Sequence, residues 1–161
     1  MVSFRQKINK NAVGDSKYLQ IIVEYLDELN EKFVFNIKAV LLFGSLSKGK
    51  AKPFETAESD VDLLILCEEL PPVKNRLYVL RELRADPRVR GLLYSFKEIE
   101  NSLTSSGIIM DALADGIILY DPERILDKFR EKFREKLCKK GIKRTPEGWI
   151  RDIKIGEIVE L

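Results

Sequence analysis

Two apolar runs constrain this chain more than any other feature: IKAVLLF at 37–43 and DVDLLILC at 60–67. In the first, odd and even positions are equally apolar. In the second, the same holds once the leading residues are passed. A half-exposed strand would alternate, so both runs read as strands buried on both faces. Helical patterns surround them. Asp15 or Ser16 can cap a helix to about Phe33, with Leu19, Ile22, Leu26, Leu29 and Phe33 on one face. Pro71-Pro72 opens a helix to about Ala85 with Val73, Leu77, Leu80 and Leu83 inward, and Asp86-Pro87 stops it. A third strand is expected at 90–96, helices across KEIENSLTSS and GIIMDALADG, and extended chain at 117–121.

Asp121-Pro122-Glu123 reads as an N-cap, a proline at the first helical position and an acid near the positive dipole end. The helix it starts turns Leu126, Phe129, Phe133 and Leu137 inward and closes at Gly141. Residues 1–14 read as polar and irregular, and GWIRDIKIGEIVEL alternates like an edge strand. Strands interleaved with helices indicate an α/β (α+β) fold. One domain over 1–161 is expected, with a core at 16–121 and a helix-and-strand extension at 122–161. Strand direction stays open.

Composition narrows the chemistry. With 161 residues, 45% of them hydrophobic and 34% charged, the chain can bury a core without disulfides, and disorder is excluded. No apolar run approaches the ~18 residues of a membrane span. The N-terminal stretch has no apolar signal region, so a cytoplasmic location is the expectation. Cys67 and Cys138 lie far apart and form no CxxC pair, which argues against a disulfide framework and against zinc. There is no histidine, so every mechanism that needs a histidine base or ligand is removed. A net charge of +2 does not demand a nucleic-acid partner.

The stretch GSLSKGK at 44–50 suggests a Walker A loop, but that loop needs a hydroxyl after its lysine, and Ala51 has none. Pro53 also interrupts the helix such a loop feeds. A Walker B strand ends in its acid, whereas Asp60 and Asp62 begin theirs. Those two acids stand at i and i+2 on one strand and share a face. Crowded carboxylates repel, and a divalent cation relieves the repulsion. Mg²⁺ or Mn²⁺ suits such oxygen ligands and takes its remaining ligands from substrate phosphates. Gly44 and Ser45 offer unhindered N–H groups and a hydroxyl to the terminal phosphates of a nucleotide, and Lys48 adds positive charge. An isolated DxD is more often a solvated strand start. Its pairing with GSxxKG favours a site.

GSLSKG together with SDVDLLIL resembles the DNA polymerase beta-like nucleotidyltransferase superfamily, and its minimal prokaryotic members in particular. The motif match covers about 37–68, with a looser likeness to about 121. The resemblance assigns the glycine-serine pair to Gly44 and Ser45, the two catalytic and metal-binding acids to Asp60 and Asp62, and the basic turn residue to Lys48. It implies a mixed β-sheet flanked by helices. It also implies transfer of a nucleoside monophosphate from a nucleoside triphosphate to an acceptor hydroxyl on protein, RNA or a small molecule. Metal-assisted in-line displacement would expel pyrophosphate. Small members often pair with a helical HEPN-type partner as antitoxins.

Two departures stand out. The spacer from Ser45 to Asp60 holds fourteen residues, with AKPFETAE as an insertion. The third strand, RVRGLLYSF, lacks the third carboxylate that active members place there. Glu98, Glu100, Asp111 and Asp115 follow it and are read as surface or capping groups. Two function classes therefore stay open: a nucleotidyltransferase, and a catalytically incomplete nucleotide-binding or antitoxin-like module. The basic C-terminal helix (Lys128, Arg130, Lys132, Arg134, Lys136) is read as a solvated face, with an RNA or acidic-protein surface as its alternative. Homo-oligomerisation is undetermined.

Overall fold

The computed structural model describes residues 2–33 and 35–151. The chain begins with α1 (Phe4–Lys7), a 3-10 turn at Lys10–Ala12, α2 (Ser16–Lys32) and β1 (Ile37–Phe43). A second 3-10 turn, Phe54–Thr56, precedes β2 (Val61–Cys67). Then come α3 (Val73–Arg81), β3 (Val89–Tyr94), α4 (Phe96–Ser102), α5 (Gly107–Asp115) and β4 (Ile117–Tyr120). The last elements are α6 (Ile125–Lys140), β5 (Ile142–Thr145) and β6 (Gly148–Arg151).

Four strands form one mixed sheet in the order β3-β2-β1-β4. β1 runs antiparallel to β2 and β4, and β2 runs parallel to β3. The two-sided apolar strands are the central pair. Val40, Leu42, Leu63 and Ile65 pack toward α2, while Ala39, Leu41, Leu64 and Leu66 pack toward α4, α5 and α6; all eight are fully buried. Covering both faces of an inner strand with helices leaves no edge or face of it in water. The expected mixed sheet flanked by helices is the architecture observed. Among the described residues no helix is long and apolar enough to cross a membrane.

Helix ends follow local chemistry. Asp15 accepts the Lys17 N–H at 2.8 Å and starts α2. Gly141 adopts φ 63°, a left-handed conformation that costs glycine little, and its N–H closes α6 on Leu137 and Cys138. The start of α6 differs from expectation. Asp121 does cap it, accepting from Ile125 and Leu126 at 2.8 and 2.9 Å. Pro122 and Glu123 belong to the preceding turn, which Arg124 closes at φ 56°. The aspartate reaches across that turn instead of standing next to the first helical residue.

Three other expectations are corrected. The N-terminal stretch is ordered: Phe4, Ile8 and Val13 are buried, and the Asn9 N–H donates to Leu119 O at 2.8 Å along the outer edge of β4. A four-residue helix is too short for periodicity to reveal it. The C-terminal alternation forms a separate hairpin, β5 with β6, and not an edge strand of the main sheet. Trp149 of that hairpin packs edge-on against Phe133 of α6 at 5.7 Å. The remainder of the alternating pattern, 152–161, lies outside the described residues.

The third correction is α3. Val73 and Leu77, expected inward, are exposed, and the buried residue is Arg76. Its guanidinium donates to Leu93 O at 3.0 Å, to Pro71 O at 2.9 Å and to both oxygens of Glu98 at 2.8 and 2.6 Å. Periodicity counts apolar residues and cannot register an arginine turned inward with its charge satisfied. The hydrogen bonds from Arg76 hold the Glu98 carboxyl below the usual carboxylate range. A depressed folded-state pKa stabilises the fold above the unfolded value, and that contribution is lost as pH falls through the folded one. Arg76→Gln should therefore cost about 1–3 kcal/mol near neutral pH, since Glu98 and Leu93 O lose their donors. The deficit against the unsubstituted chain should shrink as pH drops below the ordinary carboxylate range. Chemical denaturation at several pH values measures both.

Candidate active site

Polar chemistry collects where β1 ends and β2 begins. Phe43, the last residue of β1, pairs with Asp62, and Asp62 pairs on its other side with Arg90 of β3. These three side chains therefore stand in a row on one face of the sheet, the face shared with Leu64 and Leu66. Asp60 immediately precedes β2 and projects the same way, two residues back. Both carboxylates meet one guanidinium: Nη2 of Arg90 lies 3.3 Å from Asp60 Oδ2 and 3.1 Å from Asp62 Oδ1. Nε of Arg90 donates to the same Asp62 oxygen at 3.1 Å.

Gly44 follows Phe43 at φ 80°. A Cβ at this position would come within 2.6 Å of Asp62 Oδ2. The left-handed conformation favours glycine, and the Asp62 carboxylate leans over the bend so that any Cβ would displace it. The turn then folds back on itself. Ser47 Oγ donates to Gly44 O at 2.7 Å, and the Lys48 and Lys50 N–H groups donate to Ser45 O at 3.2 and 2.9 Å. Ser45 is exposed at its tip. Lys48 turns toward α5, with Nζ 3.5 Å from Asp115 Oδ2.

Of the residues expected in the site, Asp62 stands against Gly44 and shares Arg90 with Asp60, Ser45 follows Gly44 in the bend, and Lys48 pairs with Asp115 instead. The insertion is packed in place. Tyr18 Oη donates to Lys52 O at 2.6 Å, the buried Ser59 Oγ accepts the Lys52 N–H at 2.7 Å, and the Arg88 guanidinium stacks 3.9 Å from the Phe54 ring centre.

The acids that follow β3 are engaged elsewhere. Glu98 is held by Arg76, and Glu100 meets Lys132 at 2.8 Å. Asp111 accepts from Arg144 at 3.0 Å and from Trp149 Nε1 at 2.9 Å. Asp115 accepts from Arg144 at 2.6 Å, and that hydrogen bond holds its carboxyl below the usual range. Among the described residues, no three His, Cys, Asp or Glu side chains converge as a metal cage. Asp60 and Asp62 fit a divalent ion that draws its other ligands from phosphate oxygens, since Mg²⁺ commonly takes one or two carboxylates. Arg90 went unnoticed in the sequence because only the β2–β3 register brings it beside Asp62. On the basic helix, Arg130 donates to Leu113 O, at 3.0 Å, and to Gly116 O, Lys132 pairs with Glu100, and Lys140 donates to Thr104 at 2.9 Å.

The sequence profile described as "Polymerase beta, Nucleotidyltransferase" matches residues 21–125, which contain the whole of this site. The chain belongs to this nucleotidyltransferase family. A Methanocaldococcus jannaschii protein that carries the provisional name protein adenylyltransferase MJ1305 is 30% identical over 156 residues, covering 91% of this chain and 99% of that protein. A solved structure described as a toxin-antitoxin with AMP-PNP has the same fold at TM-score 0.50 and 17% identity, over 72% of this chain and 86% of that one.

Within this nucleotidyltransferase, Gly44→Ala should strain a left-handed backbone by about 1–2 kcal/mol and push the Asp62 carboxylate off the bend. A lowered melting temperature is the expected result, read by calorimetry of the two proteins side by side.

Proposed function

We propose that this chain moves a nucleoside monophosphate, AMP first among them, from a nucleoside triphosphate to an acceptor hydroxyl. The acceptor oxygen bonds to the α-phosphorus as the bond to pyrophosphate breaks. The observation that carries this reading is the Asp60 and Asp62 pair at the head of β2, with Asp62 against the Gly44 bend. Asp60 and Asp62 would hold Mg²⁺ or Mn²⁺. The ion supplies neutralisation of phosphate charge and polarisation of the reacting oxygens. The N–H groups of the bend and the Ser45 hydroxyl would receive the terminal phosphates, and Lys48 would leave Asp115 to pair with them. Positioning and charge suffice for phosphoryl-type transfer, so a site without histidine can serve.

The name of the M. jannaschii relative supports ATP as donor and a protein hydroxyl as acceptor. RNA and small-molecule hydroxyls are the competing acceptors. We place the reaction in the cytoplasm, the transferase core at 16–121 and an appended helix and strand at 122–161.

One observation favours a second reading. β3 sets Arg90 beside Asp62 and carries no carboxylate, and the later acids are engaged with other partners. A nucleotide-binding, antitoxin-like module that docks a HEPN-type partner fits that composition.

Incubation with Mg²⁺ and α-labelled ATP, with and without lysate of the native host, separates the readings. The transferase reading expects label on a protein, abolished by Asp60→Asn with Asp62→Asn. Nucleotide binding without transfer supports the module. Label that survives the double substitution sinks the assigned site.

A further inference from the structure

Arg90 differs in kind from the arginines that hold backbone carbonyls. Arg76 and Arg130 donate to backbone carbonyls, and Arg88 holds Phe54 O as well as Asp86. Removing any of these would leave buried or part-buried acceptors unpaired. Among the described residues, the partners of Arg90 are two carboxylates only, and its side chain is 61% exposed. One nitrogen, Nη2, bridges Asp60 and Asp62. The parallel register places the residue there, since neighbouring strands lie about 4.8 Å apart. A guanidinium so placed neutralises the two acids as a bound cation would, and little besides those acids holds it.

We propose that Arg90 is the resident counter-cation of the Asp60–Asp62 pair and competes with the divalent ion for it. The inference rests on the metal-binding reading above and adds regulation of the same site. Loading the ion displaces the guanidinium, and by linkage whatever draws the guanidinium away tightens the ion. The open rim on which Arg90 sits lets the freed side chain turn toward incoming phosphate oxygens without unpacking the sheet.

Mn²⁺ alone, without nucleotide, is the probe. Free Mn²⁺ is counted by electron paramagnetic resonance in titrations of the unsubstituted chain, Arg90→Gln, Arg90→Glu, and Asp60→Asn with Asp62→Asn. Because Arg90 is exposed, Arg90→Gln should tighten Mn²⁺ by roughly three- to tenfold at low salt, with a gain that shrinks as ionic strength rises. Arg90→Glu should tighten it further by adding a carboxylate. Mn²⁺ affinity that is unchanged, weakened or undetectable in Arg90→Gln overturns the proposal. The double asparagine variant distinguishes the two levels. If it binds Mn²⁺ as the unsubstituted chain does, the metal lies elsewhere and the site reading fails along with the inference. If it loses Mn²⁺ while Arg90→Gln gains nothing, only the inference falls.

Discussion

β1 and β2 are buried on both faces, and that constraint organises the rest of the molecule. Leu41, Leu42, Leu63 and Leu64 have no exposed surface, so no polar group can reach the middle of either strand without losing its water unpaired. Chemistry is confined to the strand ends. At one end the chain supplies a glycine bend from β1 and two acids at the head of β2, and antiparallel pairing of Phe43 with Asp62 sets the Asp62 carboxylate against the bend. The hydrophobic pattern thus does more than stabilise a sheet. It decides which residues are free to bind a ligand.

Charge is handled in two ways. Inside the fold, arginines staple elements together: Arg76 ties α3 to β3 and α4, and Arg130 ties α6 to the end of α5. These groups bond several acceptors in fixed geometry, the use to which a planar, permanently charged fork is best suited. At the sheet end, Arg90 meets only carboxylates and stays half in water. The same residue type therefore serves as a structural clamp in one place and as a replaceable counterion in another, and burial makes the difference.

Much of this was readable along the chain. β1 matches its expected span because a run apolar at every position has few other uses, and Gly141 ends α6 as a left-handed cap should. Gly44, Asp60 and Asp62 stood out because their spacing resembles a phosphate-and-metal motif. Other features escaped for definite reasons. Arg76 was missed because its burial depends on Glu98, which is distant in sequence. The N-terminal segment was missed because Phe4 and Ile8 find their cover only on α2 and β4. Pro122 misled because Asp121 caps across a turn.

By itself the sequence determined a sheet with helices on both faces and an acid pair at the head of an inner strand, since strand burial and i, i+2 facing are properties of local pattern. The tertiary structure alone decided that β2 and β3 run parallel, that Arg90 bridges Asp60 and Asp62, and that Lys48 leans on Asp115. Those facts depend on which residues from separate strands and helices stand side by side. Register and packing set that adjacency, and a linear pattern of apolar and charged residues does not encode it.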